Sequence, residues 1–227
     1  MTRSADRILT THAGSLPRSE ELRRLIQSRA EGRTYNLTEL AQRLREEVAA
    51  TVHKQVECGI DSVNDGELSK TNFTNYVRER LAGFEDRPYG SKERPKPLSI
   101  AGRELKKFPE YFAAGGRGFG AFAGTGPSQA QVYCVRPLKY AGQAALKEDL
   151  ANFRAALQGV RPEEAFLPAN TPGTIEHWLR NEYYPSEEAF LYAIADAMRE
   201  EYRAIVDAGF LLQIDDPDLP DGWQMFP

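Results

Sequence analysis

Two adjacent carboxylates, Asp215 and Asp216, close an apolar run at 210–214 and are followed at once by Pro217. A proline there stops a helix or a strand ladder. The acids therefore stand at the end of a buried strand, where they suit an amine, a metal ion or general acid–base work. A pair that only caps a loop is the other reading. A further carboxylate, Glu67, stands in Asp65-Gly66-Glu67 after the apolar stretch at 60–63. It can pair with a substrate ammonium through a charge-assisted hydrogen bond, or simply sit at a helix N-terminus. Ser15 follows Gly14 in a tight turn, where a hydroxyl and free backbone N–H groups can bind a carboxylate. Gly14 and Pro17 can equally do no more than shape a loop. Trp178, after the turn Thr171-Pro172-Gly173-Thr174, offers a flat face for a heteroaromatic ring, although core packing is the ordinary role of tryptophan.

Other polar residues carry less. His12 is a ligand or base candidate, with a hydrogen-bonded structural role as the default, and His177 reads as a packing or surface residue. Asn72 and Asn75 follow the Glu67 segment, where they either line the same mouth or, as the default reading, face solvent. The stretch Gly115-Gly116-Arg117-Gly118-Phe119-Gly120 lacks the Lys-Ser/Thr ending of a P-loop, so Arg117 reads as part of a solvated loop. Cys58 and Cys134 have neither CxxC spacing nor a zinc-type His/Cys cluster around them. They read as packing thiols. No residue is assigned as catalytic, and no metal site is expected from the chain's own residues.

The elements that must position these groups alternate short apolar runs with longer helical periodicity, the pattern of βα units around a parallel sheet. Strands are expected at 8–11, 60–63, 131–135, 165–168 and 210–214, each followed by polar residues. A helix is expected at about 38–57, where Leu40, Leu44, Val48, Val52 and Val56 recur every four residues. Asn36 with Glu39 has capping-box spacing, and Gly59 stops the helix. Further helices are expected at about 142–158 and from Ser186 to Asp207, the latter with Leu191, Ile194, Met198, Ile205 and Val206 on one face. The stretch at about 85–130 is the least regular, and so long an insertion usually carries function or mobility.

Polar residues after each of five strands fit a parallel barrel whose loops converge at one end. A doubly wound sheet also binds beyond its strand ends, but the first strand lacks the glycine fingerprint of dinucleotide folds. The fold class is thus α/β, a (β/α)8 TIM barrel of which the chain supplies about the first five units. It forms one partial barrel domain over 1–227. With 227 residues, 41% hydrophobic and 27% charged, the composition is that of a globular protein. A net charge of −4 argues against nucleic acid or an anionic membrane as the main partner. There is no apolar run of membrane-spanning length and no secretory h-region. Two distant cysteines make no disulfide framework, so a cytoplasmic protein is expected.

Three stretches, in order, resemble the catalytic barrel of cobalamin-independent methionine synthase and its shorter single-barrel relatives. They are Thr10-Thr11-His12-Ala13-Gly14-Ser15-Leu16-Pro17-Arg18, then Gly59-Ile60-Asp61-Ser62-Val63-Asn64-Asp65-Gly66-Glu67, then Ala208-Gly209-Phe210-Leu211-Leu212-Gln213-Ile214-Asp215-Asp216-Pro217. Weaker similarity runs through nearly the whole chain. The resemblance implies methyl transfer from a methylated folate, or another methyl carrier, to homocysteine activated as a zinc thiolate. By position, Ser15 would contact the amino-acid carboxylate, Glu67 and Asp215 would hold the ammonium, and Trp178 would lie against the pterin. His12 favours the single-barrel branch.

The family's zinc ligands, a His, two Cys and a Glu, follow the third stretch and are absent here. The expectation is therefore a truncated chain, the N-terminal five-eighths of the barrel, inactive in methyl transfer alone. Its open barrel edges would promote self-association. Two alternatives stand beside it: another zinc-thiolate alkyl transfer, such as epoxyalkane:coenzyme M transfer, and a non-catalytic half-barrel that binds amino acids or assembles with a complementary half. Uroporphyrinogen decarboxylase relatives share the barrel but need arginines near the N-terminus for a multi-carboxylate substrate. Arg18, Arg23 and Arg24 are the candidates for that role.

Overall fold

A computed structural model describes residues 4–72, 76–88, 107–113, 130–217 and 219. The chain divides into two compact units, the first made of residues 1–71, 142–169 and 200–214, the second of 72–141, 170–199 and 215–227.

In the first unit, Ser19 caps α1 (Glu20–Ala30), its hydroxyl accepting from Leu22 N. Asn36 caps α2 (Leu37–Glu57), accepting from the N–H groups of Thr38 and Glu39. The apolar four-residue repeat of α2 is buried at Leu40, Leu44, Val48 and Val52. At its end Gly59 N donates to Val56 O and Ile60 N to Gln55 O, the paired bonds of a Schellman stop. That stop puts Gly59 at φ +79, a conformation open to glycine at no steric cost, and turns the chain straight into β1 (Ser62–Val63).

A second device fixes the preceding segment against β1. Asp61 accepts two hydrogen bonds from Arg7, at 2.7 and 2.5 Å, and one from Thr10 N at 2.7 Å. Thr10 O in turn accepts from the N–H groups of Asp61 and Ser62, and Thr11 bridges Ser62 in parallel. These contacts hold the Asp61 carboxyl well below the usual carboxylate range, the Arg7 hydrogen bond contributing most. The strand expected at 8–11 is thus reduced to a single bridge.

β1 pairs in parallel with β4 (Glu164–Asn170), Ser62 opposite Glu164 and Val63 opposite Ala165. The sheet order is β1-β4-β6, with β6 at Leu211–Asp215. Helix α5 (Gln143–Ala156) contributes Leu146, Phe153 and Ala156 to the core. Phe153 is fully buried and meets Phe210 with ring centroids 4.9 Å apart.

The second unit holds α3 (Tyr76–Arg80), β2 (Leu81–Pro88), α4 (Pro109–Ala113), β3 (Ala130–Tyr140), α6 (Pro172–Trp178) and β5 (Arg180–Asn181). Helix α7 (Glu187–Asp207) begins in this unit and ends in the first. Here the structure corrects two expectations. The strand expected at 131–135 as a barrel strand is eleven residues long and pairs antiparallel with β2, in a separate sheet of order β2-β3-β5. A short apolar run marks a buried segment without naming the distant strand it will pair with. The irregular stretch at 85–130 also opens as ordered strand to Pro88. Most of its remainder, with Arg117 and the glycine-rich run, lies outside the described residues.

The apolar face of α7 is narrower than expected. Ile194, Met198 and Ile205 are buried together with Glu201, whereas Leu191 is 37% and Val206 55% exposed. Val206 lies about 100° around the helix from Ile205, off the contact stripe. No described helix is long and apolar enough to cross a membrane.

Replacing Phe153 by Ala removes a fully buried ring from the α5–Phe210 contact. We expect a loss of about 3–5 kcal/mol, read as a lowered urea midpoint with little change in slope.

Candidate functional site

In the first unit, two loops, residues 12–18 and 64–70, carry Ser15, Asp65 and Glu67. The join is Asn64, 1% exposed. Its side-chain amide donates to His12 O at 2.7 Å, and its Oδ1 accepts from Gly66 N at 2.7 Å. Its backbone is locked to the end of α2, where Gln55 Nε2 donates to Asn64 O and Asn64 N donates to Gln55 Oε1. Leu16 N donates to Gly66 O and closes the two loops on each other.

Within the second loop, Gly66 and Glu67 are both left-handed, at φ +69 and +55. A Cβ on Gly66 would meet Thr51 Cγ2 at 3.0 Å and Leu16 Cβ at 3.1 Å, so the position is restricted by space as well as by φ. Glu67 is a non-glycine residue in a region costly to side-chain-bearing residues. Asp65 Oδ1 offsets part of that cost by accepting from Glu67 N at 2.9 Å. The outcome is a carboxylate 2% exposed overall whose Oε2 accepts a hydrogen bond of 2.5 Å from the exposed Ser15 hydroxyl. Ser15 and Glu67, expected from sequence to share a site, are therefore in direct contact. The alternative of a helix N-terminus at Glu67 is excluded, since the segment is a turn and α3 begins only at Tyr76.

Further charged and polar groups lie around this pair. Arg18 donates to the carbonyls of Glu67, Leu68 and Lys70. It is not disposed as the carboxylate-binding arginine of a decarboxylase-type site, because its bonds go to backbone oxygens. Burial lowers its guanidinium below the usual range. Lys70, 7% exposed, donates through Nζ to Pro168 O at 2.6 Å and pins the end of β4 to the loop. His12 is half-buried, and its Nε2 has no hydrogen-bond partner among the described residues. In the sequence Arg18 is a candidate for a substrate carboxylate; its place after Pro17, in the turn that carries Ser15, is the signal for the backbone role it has here.

In the second unit, Thr171 caps the seven-residue α6, its hydroxyl accepting from Thr174 N, with Pro172 in the first turn. The expected turn at 171–174 is thus the start of a helix whose last residue is Trp178. Thr171 N donates to Asp215 O at 3.0 Å, and Thr174 Oγ1 donates to Asp216 Oδ1 at 3.3 Å. Asp215 and Asp216 are both half-buried at the end of β6. Trp178 is half-buried and meets the His177 ring edge-on, centroids 5.9 Å apart. Asp215 and Trp178 therefore belong to one unit, and Ser15 and Glu67 to the other. Asn72 is half-buried rather than solvent-facing, and Asn75 lies outside the described residues.

The described residues do not fit a zinc thiolate centre. No group of three or more His, Cys, Asp or Glu among them could hold a metal ion. Cys58 is exposed at the end of α2. Cys134 is buried in β3, donates its thiol to Arg136 O at 3.4 Å, and is pushed up by burial toward the protonated form. What such an arrangement offers chemically is an acceptor for a cationic group, a buried carboxylate with a hydroxyl beside it.

Asp65 gives this site a pH signature. Burial, partly offset by Lys70 and reinforced by Asp149, pushes its carboxyl up to about 6, whereas in the unfolded chain it titrates near 4. Between those values the folded protein binds more protons than the unfolded one, so this group's contribution to stability falls as pH rises. The full difference, about 3 kcal/mol at most, is present above pH 6. Asp65→Asn keeps the acceptor for Glu67 N. The variant should be more stable than the parent at pH 7.5 and indistinguishable from it at pH 4, in urea titrations across that range. Parallel curves at all pH values would contradict this assignment.

Comparison with known proteins agrees with the loops just described. Residues 8–91 match the family model described as "Cobalamin-independent synthase, Catalytic domain". The methionine synthase of Sulfolobus acidocaldarius is 25% identical over 215 residues, covering 92% of this chain and 52% of that protein. That of Thermococcus kodakarensis is 26% identical over 211 residues, with the same coverage. Among solved structures, a B12-independent methionine synthase from Shewanella sp. W3-18-1 in complex with selenomethionine superposes with a TM-score of 0.62 at 19% identity, covering 95% of this chain and 55% of that one. A putative vitamin-B12 independent methionine synthase from Listeria monocytogenes gives 0.58 at 19%, covering 92% and 53%. The chain spans about half the length of the curated relatives it matches. The chain is thus similar to cobalamin-independent methionine synthases, with the family match confined to residues 8–91.

Proposed function

We propose that this chain holds the amino-acid substrate of a methyl transfer to homocysteine, as the N-terminal part of a (β/α)8 barrel of the cobalamin-independent methionine synthase type. The observation that carries the reading is the Ser15–Glu67 contact, on two loops that both lie within the family match. A carboxylate withdrawn from water binds an ammonium group strongly, because the hydrogen bond is charge-assisted and poorly screened. Replacing the Ser15 proton by a substrate ammonium leaves the serine hydroxyl to serve the amino acid's carboxylate, beside the turn N–H groups around Gly14. The Shewanella relative is described with selenomethionine bound, an amino acid that carries both groups.

Asp215 is our candidate for a second carboxylate on the ammonium and Trp178 for the surface that receives the pterin of a methylated folate. Both rest on the family resemblance and on their positions at the end of β6 and of α6. Zinc in the family activates the thiol by lowering its pKa. The described donors do not fit that role, so the residues of this chain are assigned to binding and orienting substrate. We expect no methyl transfer from the 227-residue chain alone.

Calorimetric titration of the chain with L-methionine tests this. Glu67→Gln should weaken binding by at least about ten-fold, the loss of one charge-assisted bond, and Ser15→Ala by a few-fold. Equal affinity in the parent and the Glu67→Gln protein would overturn the anchor, and homocysteine methylation by the purified chain would overturn its assignment to binding alone.

A further inference from the structure

The left-handed turn that carries Glu67 is held by two arginines through its carbonyls. Arg18 Nη2 donates to Glu67 O at 2.6 Å and Lys70 O at 2.7 Å, and Arg18 Nε to Leu68 O at 2.9 Å. Arg29, in the last turn of α1, donates to the remaining carbonyl, Ser69 O, at 2.7 Å. Four successive peptide oxygens, 67–70, are thus all claimed by guanidinium groups. A backbone in this conformation relaxes toward ordinary φ values unless surrounding bonds over-determine it. Relaxation at Glu67 would swing its carboxylate away from the Ser15 hydroxyl.

We propose that Arg18, seconded by Arg29, is a positioning residue for ammonium recognition: it holds the 66–70 turn so that the Glu67 carboxylate faces Ser15. The inference rests on the reading of Glu67 as the ammonium anchor and deepens it. Arginine suits the task because its planar fork serves three acceptors in fixed directions. A lysine is a compact point charge with tetrahedral donors and a heavier desolvation cost. Placing an always-charged group in a half-buried position is costly in itself, and three carbonyl acceptors compensate it. The same three bonds explain why the cation is not committed to a substrate carboxylate. The arginine acts on selectivity, through the backbone, and touches no substrate.

The test compares L-methionine with its des-amino analogue as calorimetric ligands of the full chain, for the parent, Arg18→Lys, Arg29→Lys and Glu67→Gln. If Arg18 works through Glu67, Arg18→Lys lowers the preference for L-methionine over the analogue by about ten-fold. Its affinity for the analogue stays within about two-fold of the parent. Arg29→Lys keeps one donor and should lower the same ratio by about three-fold. That second variant decides the matter should Arg18→Lys fail to fold. A purely structural arginine would lower the melting temperature while leaving the ratio unchanged in both variants, and that result overturns the proposal. If the parent does not prefer L-methionine, or Glu67→Gln leaves its preference intact, the anchor reading itself falls and this inference with it. A normal effect of Glu67→Gln with unchanged ratios in the arginine variants sinks the clamp alone.

Discussion

The side chain of Asn64 is the constraint on which the first unit's site depends. From one buried position it donates to the carbonyl of His12 and accepts from the N–H of Gly66, while Gln55 holds its backbone to α2. A buried amide with both ends used rigidifies what it joins, because any displacement leaves polar atoms without water or partner. The loop bearing Ser15 and the loop bearing Glu67 are thereby one construction. The 2.5 Å contact between their side chains is a consequence of that linkage rather than its cause.

Around this joint, burial treats neighbouring carboxylates in opposite ways. Asp61, met by a guanidinium, a hydroxyl and an N–H, is driven toward its charged form. Four residues later Asp65 is enclosed with less compensation and is driven toward its neutral form. The first secures the chain's opening segment to β1, and the second supports Glu67 through its acceptor oxygen. Desolvation penalises charge, and specific donors offset it. The residue type decides neither outcome. The turn that carries Glu67 is held by bonds to its backbone oxygens, which leaves the Glu67 carboxylate for the Ser15 hydroxyl.

Much of this is legible in the amino-acid sequence. The four-residue repeat of Leu40, Leu44, Val48 and Val52, with Asn36 before it and Gly59 after it, specifies α2 through local physics of periodicity and capping. Ser15 and Glu67 stand out as candidate site residues by type and by their place after apolar runs. Helix α1 escapes a reading by periodicity because its short apolar set, Leu22, Leu25 and Ile26, lies among arginines and glutamates. The second half of β2 is hidden in a stretch that reads as irregular, and β3 reads as a barrel strand, because strand pairing is a long-range choice. Arg18, Arg29 and Lys70 are invisible as a group: Arg18 reads only as a candidate for a substrate carboxylate, and nothing local links it to the other two before distant segments bring them to one turn.

The sequence by itself determined the α/β alternation, the bounds of α2, α5 and α7 to within a few residues, the family resemblance and the chemistry offered by Ser15, Glu67, Asp215 and Trp178. These follow from local rules of spacing and side-chain type. Tertiary structure alone decided that Glu67 would be left-handed and buried, that Ser15 would donate to it, and that arginines would direct their charge to carbonyl oxygens. It also assigned Asp215 and Trp178 to a different compact unit from Ser15 and Glu67. The reason is that burial, partner choice and backbone strain are properties of segments distant in sequence, fixed only when the chain has closed on itself.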